Sequence, residues 1–124
     1  MTARQPPRPL ADLDDLRDRL RTFAEARDWD RFHSPKNLAM ALIAEAAELV
    51  EHFQWLTEQE SNALPPEKTA AVADELADVL IYLVRIADKL EVDLLAAVAA
   101  KMDRNEAKYP AHVVKGSARK YTEY

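Results

Sequence analysis

Apolar residues recur at helical spacing along four stretches of the chain, separated by polar or proline-rich breaks. In the first stretch Leu13, Leu16, Leu20, Phe23 and Ala24 share one helix face. Asp12 is its natural N-cap and Asp15 sits in the first turn, so the spacing predicts a helix to about Arg27. Ser34 followed by Pro35 marks a second start, a cap and then a proline where a missing N–H costs nothing. This helix should run to about Trp55, and it is apolar over much of its circumference, which implies burial on several sides. TEQESNALPPEK is a polar break. Pro65 and Pro66 open a third helix to about Leu90. Asp93 caps a fourth that ends near Lys108, before Pro110. The second and third helices are expected to lie antiparallel as neighbours, because the loop between them is short.

The pattern predicts an all-α fold, and the composition agrees. The chain has a single glycine, whereas an all-β fold would spend many on turns. Its 124 residues suit one domain, and 48% hydrophobic residues allow a real core. We expect a flexible N-terminal segment over 1–11, a helical domain over 12–114 and a C-terminal tail over 115–124, where AHVVKGSARKYTEY shows no clear period. Three of the four helices carry more apolar surface than a lone small bundle can hide, so a homo-oligomer is expected, a dimer or a dimer of dimers. Absence of cysteine removes disulfides, thiol nucleophiles and cysteine-based zinc sites. MTARQPPRPL lacks the apolar stretch of a signal peptide, and no apolar run is long enough for a bilayer, so a cytoplasmic protein with no membrane partner is expected. A net charge of −5 weighs against nucleic-acid binding. The basic residues are uneven, with Lys101, Arg104, Lys108, Lys115, Arg119 and Lys120 crowding the last quarter.

Four acids change the picture. Glu45 and Glu48 lie in the second helix, and Glu75 and Asp78 in the third, each pair spaced i, i+3 on an apolar face. Ionised carboxylates are costly in a low-dielectric interior, and converging ones raise one another's pKa. A hard divalent cation with oxygen ligands resolves both costs, and an all-oxygen set favours Mg²⁺, with Mn²⁺ a possible substitute. The rival reading is an exposed, solvated acidic stripe. A di-iron bundle would want Glu-x-x-His on two helices. The chain offers only Asp30-x-x-His33, outside the strong helices.

Magnesium held by carboxylates usually meets phosphates. Lys101, Asn105 and Lys108 share a face of the fourth helix and could bind phosphate or sugar oxygens, or form an ordinary solvated face. Tyr82 lies one turn past Asp78. Trp29, His33, Phe53 and Trp55 flank the ends of the second helix and suit either a base-stacking pocket or plain packing. The chain holds no nucleophile elbow, P-loop or GxGxxG, so water is the natural nucleophile of any hydrolysis.

At these residues the chain resembles the MazG-like all-α nucleoside triphosphate pyrophosphohydrolases, whose pattern is E-x-x-E, a gap, then E-x-x-D. FHSPKNLAMALIAEAAELVEHFQW, ELADVLIYL, KMDRNEAKYPAH and SARKYTEY look like stretches of the dCTP pyrophosphatase subgroup. The resemblance implies a four-helix core assembled as a tetramer of paired dimers. It also implies Mg²⁺-dependent conversion of a deoxynucleoside triphosphate, dCTP or a modified dCTP, to monophosphate and pyrophosphate, in nucleotide-pool sanitation. By position, Glu45, Glu48, Glu75 and Asp78 would hold the metal and serve catalysis. Lys101, Asn105, Lys108 and Tyr109 would lie near the phosphates, Tyr82 near sugar or base, and Trp29, His33 and Trp55 in the base pocket, partly across a subunit interface. Ala44 stands where many members carry a further Glu, which leaves the number of ions open. Glu51, one turn past Glu48, is a further ligand or base, or simply exposed. Two other readings stay open, a hydrolase of another phosphoanhydride and a non-catalytic acidic bundle that docks a basic partner.

Overall fold

Three of the four long helices begin where a side chain satisfies one of the first free N–H groups, and the fourth begins at a pair of prolines, the second of which has no N–H to satisfy. In the computed structural model, Asp12 accepts from the Asp15 N–H, Ser34 from Asn37 and Asp93 from Ala96. The helices that follow are α1 (Leu13–Ala26), α2 (Pro35–Glu51), α3 (Glu58–Ser61), α4 (Pro66–Lys89), α5 (Leu94–Lys108) and α6 (Ala111–Val114). The structure describes residues 5–118 and 121–123. Expectations for residues 1–4 of the N-terminal segment, and for Arg119, Lys120 and Tyr124 of the tail, fall outside them. Among the described residues there is no strand, and no helix is long and apolar enough to cross a membrane.

The four long helices stand where the periodicity put them, with local differences. The second ends at Glu51, four residues before Trp55, because the His52 N–H turns back onto the Leu49 and Val50 carbonyls and tightens the chain into turns. The polar break contains α3, one turn closed by a capping box in which Thr57 and Glu60 each bond the other's backbone N–H. Asp28 and Glu91, just beyond α1 and α4, take left-handed backbone (φ 53° and 55°), the place usually left to glycine.

The described chain falls into two compact units, Met1–Glu91 and Val92–Tyr124. In the first, α2 and α4 form the main pairing and α1 packs on α4. The start of α2 meets the end of α4 through His33 and Arg85, and the end of α2 meets Glu75 through His52, so the two helices are antiparallel. Leu16, Ala24, Leu38, Val72, Val84 and Ala87 are the buried apolar residues. The second unit carries α5 and α6. Its residues Leu95, Val98 and Met102 are exposed.

α2 and α4 are each two-faced. On α2, Leu38, Ala41, Glu45, Glu48 and His52 step by three and four residues along the face toward α4. Met40, Ile43, Ala47 and Val50 do the same on the far side and are exposed. On α4 the inner stripe is Glu75, Asp78, Tyr82, Arg85 and Lys89, and Ala73, Leu76, Leu80 and Leu83 form an exposed outer stripe. Such spacing is that of a helix–helix seam.

Candidate metal and nucleotide site

The antiparallel pairing brings the two acidic pairs together. One carboxylate oxygen each from Glu45, Glu48 and Glu75 lies within 4.8 Å of the others. Glu45 and Glu75 are half-buried and Glu48 is exposed. Oε2 of Glu45 and Oε2 of Glu75 are buried with no hydrogen-bond partner. Asp78 stands outside the tight trio but acts on it. Burial, Glu48 and Asp78, with Glu75 beside them, push the Glu45 carboxyl up to about 7. Such an arrangement is expensive without a counter-charge. Two orphaned oxygens inside an all-carboxylate group match the donor set of a hard divalent cation.

The remaining candidate residues divide into groups. Tyr82, half-buried, lies one turn beyond Asp78 on the same stripe. Trp29 and His33 bracket a 3₁₀ turn (Asp30–Phe32), their rings 6.4 Å apart, and Phe23 meets Trp29 edge-on at 5.7 Å. Trp55 is 86% exposed and follows α2, so the helix's length of roughly 25 Å separates it from Trp29 and His33 within one chain. Glu51 is exposed on the last residue of α2. In the second unit Lys101, Asn105 and Lys108 are exposed along one face of α5, and the Tyr109 N–H closes that helix on the Asn105 carbonyl at 2.8 Å.

Two features escape a reading of the sequence. His52 places Nε2 3.6 Å from Glu75 Oε1. Its only linear signal is its position one turn past Glu48. Arg85 is buried at 3% exposure and reaches His33, Asp30 and Asp88. A lone arginine in an apolar helix, two turns past Asp78, hinted at an inward role, but the partner could not be read from the chain.

The MazG-like family model matches residues 41–124. The chain is 49% identical over 117 residues to dCTP pyrophosphatase 1 of Mus musculus, covering 93% of this chain and 69% of that protein. The Homo sapiens dCTP pyrophosphatase 1 matches at the same identity and coverage. Among solved structures, a pyrophosphatase from Archaeoglobus fulgidus is similar with a TM-score of 0.76 and 39% identity, over 86% of this chain and 99% of that one.

Proposed function

The chain belongs to the MazG-like family and is a nucleoside triphosphate pyrophosphohydrolase, and from that premise we propose that it converts dCTP, or a modified dCTP, to the monophosphate and pyrophosphate. The observation that carries this reading is the carboxylate trio with its two buried, unpartnered oxygens. An acidic docking face would leave its oxygens in water.

Glu45, Glu48, Glu75 and Asp78 would hold Mg²⁺, or Mn²⁺ in its place. A divalent cation supplies charge cancellation and polarises phosphate oxygens when bound there. The chain's own groups do the rest. A carboxylate of the cluster that the cation leaves free can take a proton from an attacking water. Lys101, Asn105, Lys108 and Tyr109 would bind the phosphates, and Tyr82 would pack against the sugar. Trp29 and His33 would hold the base, and Trp55 would reach it from a second copy, since one chain keeps it far from them. The exposed outer stripes of α2 and α4 supply apolar surface for that second copy, in a dimer or a dimer of dimers. On this reading 12–114 is the catalytic domain, acting on the cytoplasmic nucleotide pool.

The deciding experiment is a pyrophosphate-release panel over the four dNTPs, 5-modified dCTPs and other nucleotide phosphoanhydrides, with and without Mg²⁺. Preference for dCTP or a modified dCTP supports the reading. Metal-dependent turnover confined to another nucleotide would transfer it to that substrate. Turnover unaffected by chelation would break the metal assignment.

A further inference from the structure

His33 is held from both its backbone and its ring. Its own N–H bonds the Asp30 carbonyl at 3.0 Å, and Ser34 caps α2 directly after it. Its ring Nδ1 faces the Arg85 guanidinium at 3.2 Å. The same Arg85 nitrogen donates to Asp30 Oδ1 at 3.1 Å, and Lys89 Nζ donates to that oxygen at 2.5 Å. On the other side Arg85 stands 3.5 Å from Asp88, which Arg21 of α1 grips through its Nε at 2.7 Å.

A guanidinium has only donors. The ring nitrogen facing it must therefore carry a lone pair, which leaves the imidazole proton on Nε2. The charges reinforce this choice. Arg85 and Lys89 both lie beside this ring, so protonating His33 would add a third positive charge next to them against Asp30. Burial, Arg85 and Lys89 all hold His33 below its ordinary pKa, with only Asp30 opposing. A contact that served only to join the turn to α4 would not need histidine's lone pair. Asp30 already supplies that link.

Resting on the reading that Trp29 and His33 line the base pocket, we propose that Arg85 is a positioning residue for that pocket. It fixes His33 as the neutral Nε2–H form, a hydrogen-bond donor for the acceptor edge of the base. The location fits. Arg85 is seven residues past Asp78 on the same α4 stripe, about 10 Å along the helix from the acids, with Tyr82 between them. The carbonyl O2 is common to cytosine, thymine and uracil, so the acceptor that can set cytosine apart is its ring N3. Thymine and uracil carry a hydrogen on N3 and would meet the donor with another. Arg85 thereby contributes to base choice without touching the base.

The test starts from the full chain labelled with ¹⁵N-histidine, without nucleotide. Long-range ¹H–¹⁵N spectra should show His33, assigned by its loss in His33→Gln, as neutral and protonated on Nε2 at pH 7. Arg85→Lys, again with donors only, should keep that pattern. Arg85→Gln, whose carbonyl can accept, should give mixed tautomers. A wild-type His33 protonated on Nδ1, or cationic at pH 7, overturns the proposal. The kinetic arm compares dCTP with dTTP. Arg85→Gln should raise KM for dCTP about tenfold, the scale of one hydrogen bond, with kcat and the KM for dTTP little changed. Equal losses on both bases, or a fall in kcat alone, would mark Arg85 as merely structural. Should no nucleotide be hydrolysed by the wild type, the functional reading and the base contact fall together, and the spectra still judge the Arg85–His33 lock separately.

Discussion

His52 and Glu75 face each other from the end of α2 and the first half of α4, imidazole Nε2 to carboxylate oxygen at 3.6 Å. Groups behind a metal ligand orient it and tune its basicity, and their loss typically weakens metal affinity 10- to 100-fold. His52→Leu should therefore shift the Mg²⁺ concentration for half-maximal pyrophosphate release upward by roughly tenfold, with His52→Gln milder. An unchanged Mg²⁺ midpoint in His52→Leu would show that Glu75 needs no such support.

Glu45→Gln keeps the shape of the side chain and removes one of the crowded charges. The metal-free variant should melt above wild type, since the Glu45 carboxyl is disfavoured by burial and by Glu48 and Asp78. Its turnover should fall on the order of 100-fold or more, the scale for losing one charge-stabilising group. Saturating Mg²⁺ should raise the wild-type melting temperature by mass action, and this gain should shrink in the variant. Calorimetry with and without metal reads both effects. A variant that melts lower than wild type in EDTA would contradict the crowding of these acids.

The same carboxyl sets a pH window. Its pKa in the folded chain is about 7, against an ordinary value of 4.5. Below 4.5 it is protonated whether folded or not and adds no penalty. Between these values folding takes up a proton, so metal-free stability should drop as pH climbs from about 4.5 to about 7, then level off. Cation binding releases that proton, so the stabilisation by Mg²⁺ should grow across the same range. Melting curves in EDTA and in Mg²⁺ at half-unit pH steps check the sign.

Asp88 joins α1 to α4. Its side chain is 9% exposed, between Arg21 and the buried Arg85, and Arg21 holds it well below the usual carboxylate range. Asp88→Asn leaves Arg85 short of counter-charge. Loss of one partner from a buried pair costs about 3–5 kcal/mol, and with Arg21 half in water about 2 kcal/mol is expected. Urea unfolding measures it. A change below about 0.5 kcal/mol, the range of an ordinary surface substitution, would mean that solvent already screens the cluster.

Local chemistry made much of this molecule legible. Asp12, Ser34 and Asp93 each cap the helix they were expected to start, because capping needs only a side chain and an N–H three residues on. The inward faces of the acids were legible too, since i, i+3 spacing sets both members of each pair on one apolar face, although of the four only Glu45, Glu48 and Glu75 close into the tight trio. α3 was missed although Thr57 and Glu60 spell its capping box, because a single turn has no apolar period. Arg85 with His33, and His52 with Glu75, were hidden for another reason. Each pair lies far apart in sequence, and its meeting depends on how far α2 slides along α4, a register that no local pattern encodes.

The outward stripes Met40–Ile43–Val50 and Leu76–Leu80–Leu83 have a consequence for abundance. In the proposed assembly a second copy covers these stripes, which would make the completeness of the site a bimolecular property that scales with how much of the protein is present. On that reading serial dilution should lower the activity per molecule progressively as the copies separate.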